Sequence, residues 1–484
     1  MDCDALLRLE DYQEKNVLNL DRCLIQPYTI EQISNTENLT RISLAHNYLI
    51  EIPNFVSDYT NLIELNVNHN ELFNTEFLLY RNSNQINRPL AHPFLEKINL
   101  SYNHIKILPL NLHYLRFLHT LDLSNNYLEE LPNTIGSLEQ LHRLILNDNY
   151  LKNLPSTFTQ LIHLEELNLS SNQFSSVDII KNLEKLRFIY LNSNPLKVFP
   201  ILLNTCSNLE EIYLSNIQLY RMKEITLDYF HQFSKLKILN LSKNSLTNQF
   251  LSRSNQTWST LEELYLQSNQ FTTIFSLISH LKVLYLLDLS SNSLINLPEC
   301  FNSHLKILRL SNNDLEINSN ECVYLKTIFE LDLDYNQIKQ LPDEFIQCLN
   351  LQSLNISNNP LEKFPNILLQ LRSLNKLTIH SSDLKYLPTI DLMKKYFYRT
   401  LNRLDLSKNN LSTNLSELTG LRALVYLDLT DNKLNELHYD FRLMSCLKIL
   451  KLSKNRFNKF PNWLYQMSND REQKYISKKF LYSS

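Results

Sequence analysis

Histidines and carboxylates are the first residues to weigh for chemistry. His46 and His69 occupy equivalent slots 23 residues apart, and so do His119 and His142. An imidazole pair could supply two zinc ligands, but neither pair has a third ligand at a fixed spacing. No metal is expected. Glu330, Asp332 and Asp334 alternate along one segment, which puts them on one face of a strand. Such carboxylates could hold Ca²⁺ or serve acid–base chemistry. An open face gives no enclosure to shift their pKa values, so they read as surface charge. The seven cysteines, Cys3, Cys23, Cys206, Cys300, Cys322, Cys348 and Cys446, are odd in number, scattered and without a C-x-x-C spacing. No nucleophile elbow or Cys–His pattern accompanies them. The only glycines are Gly136 and Gly420, so neither a P-loop nor G-x-G-x-x-G can be written. The expectation is a protein without catalytic residues or cofactor.

The charge balance points the same way. Lys and Arg total 47 against 50 Asp and Glu, a formal net charge of −3, which gives no global pull toward nucleic acid or an acidic membrane. No apolar run reaches the length of a membrane span. The acidic start, Met1 to Asp4, lacks the basic region of a signal peptide. With unclustered cysteines this makes a reducing, cytoplasmic location the expectation. Sequons at Asn38 and Asn168 argue the other way, but arise almost automatically from the repeat described next.

That repeat reads L-x-x-L-x-L-x-x-N-x-L, as at Leu118, Leu121, Leu123, Asn126 and Leu128. Eighteen copies, mostly 23 residues apart, begin at Leu39 and finish with the copy at Leu447, and a degenerate earlier copy carries Cys23 in the Asn slot. Leucines at the fourth and sixth positions alternate with polar residues, the period of a half-buried strand. The Asn turns inward, where its amide can satisfy backbone groups left unpaired by the bend. Many copies continue as L-P-x-x-F/I/L, as at Leu154, Pro155 and Phe158; the proline blocks further pairing and sends the chain to the outer side. One unit cannot bury its leucines alone, so stacked copies share a core.

This 23-residue, Leu-Pro-bearing repeat resembles the intracellular leucine-rich repeat proteins of the Ras group, which include Ras suppressor and the repeat regions of scribble-like scaffolds. The resemblance covers roughly residues 39–464. It implies an α/β solenoid, a leucine-rich repeat horseshoe with a parallel concave β-sheet and an irregular or short-helical convex side. It also implies protein binding on the concave face, with a small GTPase or a phosphatase among the partner classes. The organisation expected is an N-terminal cap over 1–38, repeats over 39–467 and an end cap over 468–484. An insertion near 74–94 and basic aromatic residues at 394–399 are expected on the surface. The copies at 209–235 and 374–400 are lengthened and lose the Asn to Ile217 and Ser382; they suggest bends in the ladder, or drift in a tolerant array. No second domain is legible. The leading expectation is an adaptor or regulatory subunit of intracellular signalling. The alternatives are the repeat region of a larger signalling enzyme and an extracellular recognition ectodomain.

The strand face is the candidate site. Neighbouring strands lie about 4.8 Å apart, so one column traces roughly 80–85 Å. The third and fifth positions point outward on it. The fifth is mostly Asn or Asp, as at Asn66, Asp122, Asn240 and Asp405, but becomes Tyr190, Tyr213 and Tyr265 in the middle, about 15 Å from first to last at the strand spacing. The third position supplies Phe188, Ile238, Leu286 and Ile307 there. Exposed apolar and aromatic groups mark binding surfaces, and Tyr is a favoured hot-spot residue. Carboxylates flank the stretch at Glu165, Glu166, Glu210, Glu211, Glu262, Glu263, Asp288, Glu330, Asp332 and Asp334, with Arg309 and Tyr335 beside them. Without a compensating arginine ladder they would steer a basic partner. The alternative is that Tyr is simply a good strand former and the glutamates solvated filler.

Overall fold

The computed structural model describes residues 16–25, 39–75 apart from 54, 57 and 58, and 92–459 apart from 182, 198, 201, 202, 204, 220–225, 252–256, 275–279, 298–303, 390 and 393–399. Most of the expected N-terminal cap, most of the 74–94 insertion, the 394–399 run and the C-terminal cap lie outside the described residues. The chain divides into two compact units, Met1–Ile225 with Tyr229–Asn244 and Thr226–Asp228 with Ser245–Ser484. Each is described by itself.

Unit 1 carries β1 (Val17–Asn19), β2 (Arg41–Ser43), β3 (Glu64–Asn66), β4 (Lys97–Asn99), β5 (Thr120–Asp122), β6 (Arg143–Ile145), β7 (Glu166–Asn168), β8 (Phe188–Tyr190), β9 (Glu211–Tyr213) and β10 (Ile238–Asn240). Unit 2 carries β11 (Glu263–Tyr265), β12 (Leu286–Asp288), β13 (Ile307–Arg309), β14 (Glu330–Asp332), β15 (Ser353–Asn355), β16 (Lys376–Thr378), β17 (Arg403–Asp405), β18 (Tyr426–Asp428) and β19 (Ile449–Lys451). Each strand is the third to fifth positions of one copy, and the degenerate copy supplies β1. Within each unit the strands pair in parallel with equivalent positions opposed: Leu121 faces Ile98 on one side and Leu144 on the other. The fourth-position residue is buried in every strand while its neighbours are mostly half-exposed, as alternation requires.

On the opposite side, prolines end the extended path as expected. Pro132, Pro155, Pro342 and Pro365 each precede a five-residue 3₁₀ turn, Asn133–Ser137, Ser156–Gln160, Asp343–Gln347 and Asn366–Gln370. Each proline caps its turn in extended backbone, and its carbonyl accepts the first bond of the turn, from the N–H of Ile135, Phe158, Phe345 and Leu368 at 3.0, 2.9, 3.0 and 3.0 Å. Phe158, Phe345 and Phe441 reach inward from such turns and are fully buried. Gly136 belongs to one: a Cβ there would run into the backbone carbonyl of Thr157 in the next turn, with the carbonyl carbon at 2.8 Å. Each unit is thus a solenoid with a parallel sheet on one side and short helical turns on the other.

The Asn slot does what its chemistry suggested. Asn313 Oδ1 accepts the Leu294 N–H of the preceding copy at 3.0 Å, and its Nδ2 donates to the carbonyls of Leu289, Leu310 and Ser311 at 3.1, 3.0 and 3.3 Å. The copies lacking Asn share a second solution. The residue after the slot, Leu24, Gln218 or Asp383, takes a positive φ of 53°, 60° or 55°. That turns two N–H groups toward one acceptor in the next copy: Ser382 and Leu384 donate to Asn409 Oδ1 at 3.0 and 3.1 Å. Ile217 and Leu219 use Asn244 in the same way, and Cys23 and Ile25 use Asn47. The strand pairing β8–β9–β10 and β15–β16–β17 keeps its register through both long copies. The extra residues therefore do not interrupt the ladder.

Cys206, Cys322, Cys348 and Cys446 are free thiols, and the first three are buried. Burial pushes these three up to about 11, 11 and 12, so little thiolate exists at neutral pH. Alkylation of the native protein without reductant should label Cys446 rapidly and these three only after unfolding. A stoichiometric disulfide found by mass spectrometry would contradict this.

Candidate protein-binding face

In unit 1 the face is built by β8, β9 and β10. Phe188, Tyr190, Glu211, Tyr213 and Ile238 all lie half-buried on it. The register sets Tyr190 opposite Tyr213 and Phe188 opposite Glu211. The two tyrosine rings stack with centroids 4.6 Å apart and an interplanar angle of 17°. Tyr213 Oη donates to Glu211 Oε2 at 3.1 Å. Burial, and then the Glu211 carboxylate, push Tyr190 up to about 12, so its phenol stays protonated and presents a fixed ring with a polar tip.

The acidic flank is not bare. Arg187 Nε sits 2.7 Å from Glu210 and its Nη1 3.5 Å from Glu165, while Lys237 Nζ lies 2.9 Å from the other Glu210 oxygen. Arg143 pairs with Glu166 at 3.0 Å. The expectation that no arginine compensates these carboxylates is corrected: the second position of four successive copies alternates Glu165, Arg187, Glu210, Lys237. The hydrogen bond from Arg187, and then that from Lys237, hold Glu210 down at about 2. A depressed carboxyl contributes stability that is present above the unfolded value and lost as pH falls through the folded one. Wild type should lose this contribution between about pH 4.3 and pH 2. In acid titrations of unfolding, Glu210→Gln should flatten that window; an unchanged profile would contradict the network.

In unit 2 the face is built by β11 to β14. Glu263, Tyr265, Ile307, Arg309, Asp332 and Asp334 are half-buried and Tyr335 is exposed. Leu286 and Asp288 do not point freely into solvent: their neighbours leave them 6% and 7% exposed. Asp288 is paired with Arg309 at 3.5 Å. Tyr265 Oη donates to Glu263 Oε2 at 2.7 Å. Burial, and then this bond, raise Tyr265 to about 12; burial also raises Asp332. Among the described residues Glu211, Glu263, Glu330, Asp332 and Asp334 make no ion pair.

Sequence reasoning missed what the fifth-position Asn and Asp do. Their Oδ1 accepts the N–H two residues on, as from Asp122 to Ser124, Asn240 to Ser242, Asp288 to Ser290 and Asp405 to Ser407, each at 3.0 Å. Tyr190, Tyr213 and Tyr265 carry no such acceptor, so their copies give up a local turn bond. In the Tyr213 copy the Ser215 N–H turns instead to Asn192 Oδ1 of the preceding copy at 2.8 Å, and Ile145, Arg309 and Lys451 also stand at this position; what sets the tyrosines apart is the aromatic surface they add to the face. The signal was available in the recurring N/D-x-S of the repeat.

The histidine pairs stack instead of converging: His46 on His69 at 4.1 Å, His119 on His142 at 5.2 Å. Nitrogen lone pairs lie in the ring planes, so face-to-face rings do not aim them at one point. Among the described residues no group of three or more His, Cys, Asp or Glu could hold a metal ion, and no helix is long and apolar enough to cross a membrane.

Comparisons with known proteins agree with this architecture. A model described as a leucine-rich repeat region matches residues 94–212, and leucine-rich repeat models match 260–281, 350–371 and 301–316. Lumican of Rattus norvegicus is 32% identical over 133 residues, 26% of this chain and 38% of lumican. The match thus spans well under half of that relative's length. Among solved structures, a complex of TLR13 with ssRNA13 superposes with a TM-score of 0.55 at 22% identity, covering 90% of this chain and 73% of the other. The plant peptide hormone receptor RGFR1 in complex with RGF2 gives 0.54 at 22% identity, covering 88% and 68%. At these identities the likeness is one of fold.

Proposed function

Because the chain is built of leucine-rich repeats, we propose that it is a non-catalytic protein-binding adaptor or regulatory subunit that holds its partner on the strand face. The observation that carries the reading is the replacement of turn-forming Asn or Asp by Tyr190, Tyr213 and Tyr265. Each surrenders a local hydrogen bond and sets a half-exposed phenol on the sheet, two of them stacked at 4.6 Å. Rigid aromatic anchors lose little side-chain freedom on binding. The 23-residue Leu-Pro repeat resembles the Ras group, which supports a place in intracellular signalling. The odd number of cysteines, scattered and without a C-x-x-C spacing, favours a reducing, cytoplasmic location. A small GTPase or a phosphatase, the partner classes implied by that resemblance, comes first for trial.

The test is capture of small GTPases and phosphatases from cytosolic extract on the immobilised full chain, identified by mass spectrometry. Capture should fall for Tyr190→Ala and for Tyr265→Ala but not for Lys97→Ala, an exposed third-position residue of β4. Equal capture by all variants would move the site off this face.

A further inference from the structure

Two tyrosine–carboxylate pairs of the same build stand on the strand face of unit 2, and one of them is filled by cations of the chain itself. In β18, Tyr426 Oη donates to Asp428 Oδ2 at 3.0 Å. The Arg403 guanidinium carbon lies 4.0 Å from the Tyr426 ring centroid, and Lys451 Nζ lies 5.2 Å from that centroid and 3.1 Å from Asp428. Both cations come from adjoining strands at directly opposed positions, Arg403 facing Tyr426 and Lys451 facing Asp428. The ring face and the carboxylate act together: the π-cloud attracts the cation while the acid accepts its hydrogen bond.

In β11 the acid and the tyrosine exchange places, Glu263 at the third position and Tyr265 at the fifth, with the same phenol-to-carboxylate bond at 2.7 Å. The opposed positions of β12 hold Leu286 and Asp288, neither of them cationic. Arg309, two strands away, is engaged with Asp288 at 3.5 Å. Among the described residues no basic side chain stacks on the Tyr265 ring or pairs with Glu263. Among the described residues, the outward positions of β11 to β14 and the residue two beyond each strand carry Glu263, Asp288, Glu330, Asp332 and Asp334 against Arg309, with the apolar Ile307 between them, while Lys306, at the edge of the face, lies over the Phe329 ring at 4.9 Å. Charge complementarity therefore selects a basic occupant with an apolar side chain among its cations.

We propose that the Tyr265–Glu263 pair receives an arginine or lysine side chain from a basic, partly apolar segment of a partner protein, in the way Tyr426–Asp428 receives Arg403 and Lys451. This rests on the reading that the strand face binds protein, and adds the chemistry of what it binds. The cation lies over the phenol ring and bonds to the Glu263 carboxylate, as Lys451 bonds to the Asp428 oxygen that Tyr426 also holds, and the neighbouring apolar residue covers Ile307.

The probe is a fluorescein-labelled peptide of alternating arginine and leucine, compared by fluorescence anisotropy with its isostere in which citrulline replaces arginine. On the full chain at about 0.15 M salt, where distant charges are screened, the arginine peptide should bind about tenfold more tightly than the citrulline peptide. Glu263→Gln and Tyr265→Leu should each remove most of that ratio. Tyr265→Phe, which keeps the ring and the fold, should retain most of it, and Glu436→Gln, an exposed acid elsewhere in the unit, should leave it intact. A wild-type ratio near one, or a ratio insensitive to both Glu263→Gln and Tyr265→Leu, would overturn the proposal. If it is overturned while capture of a cytosolic partner still depends on Tyr190, the strand face remains a protein-binding face and only the partner chemistry assigned here is wrong.

Discussion

Asn409→Ala should destabilise unit 2 by about 2–6 kcal/mol, roughly twice the loss from Asn313→Ala, because each buried N–H left without its acceptor costs about 1–3 kcal/mol. Asn313 Oδ1 serves one N–H, that of Leu294. Asn409 Oδ1 serves two, those of Ser382 and Leu384, and its Nδ2 still donates to Ile379, Leu406 and Ser407. Both side chains are 6% exposed, so water cannot readily replace either. Urea unfolding of the full chain, followed at two wavelengths because long arrays need not unfold as one unit, gives the two losses side by side. Ser382→Asn should gain little, since the position after it is already set left-handed by Asp383 with φ 55°. A smaller loss for Asn409→Ala than for Asn313→Ala would contradict the shared-acceptor account of the irregular copies.

Tyr190→Ala should weaken partner binding by about 2 kcal/mol or more, about thirtyfold, mainly through faster dissociation. Its ring is held against Tyr213 at 17° before any partner arrives, so truncation removes a preformed anchor. Glu211→Gln should act differently, slowing association and flattening its salt dependence. Lys97→Ala, in the same unit and on the same face, is the matched control. Once a partner is in hand, binding kinetics at two salt concentrations separate the cases. Equal weakening by Tyr190→Ala and Lys97→Ala would mean that the partner reads the whole ladder.

The repeat made the strands legible to the residue, because leucine spacing dictates which positions alternate inward and a shared core fixes the register. The inward Asn and the proline turns followed from the donors and acceptors each carries. What escaped was cross-copy pairing. The column Glu165, Arg187, Glu210, Lys237 is a ladder of ion pairs, visible only when charges are read down a column as the aromatics were. Leu286 and Asp288 escaped for a related reason: outward direction along one strand does not determine how far side chains on adjoining strands cover it. The double acceptance by Asn409 was out of reach, since it depends on a left-handed residue after the slot that no spacing announces.

The central claim is that the partner docks on the strand side, and photocrosslinking tests it most directly. A photoreactive phenylalanine analogue is placed at Tyr190, at Tyr265 or at Ile162, which follows the 3₁₀ turn Ser156–Gln160 on the other side and is 55% exposed. Crosslinks to the captured partner should form from Tyr190 and Tyr265 and be absent from Ile162. Crosslinks from Ile162 with none from either tyrosine position would contradict the account.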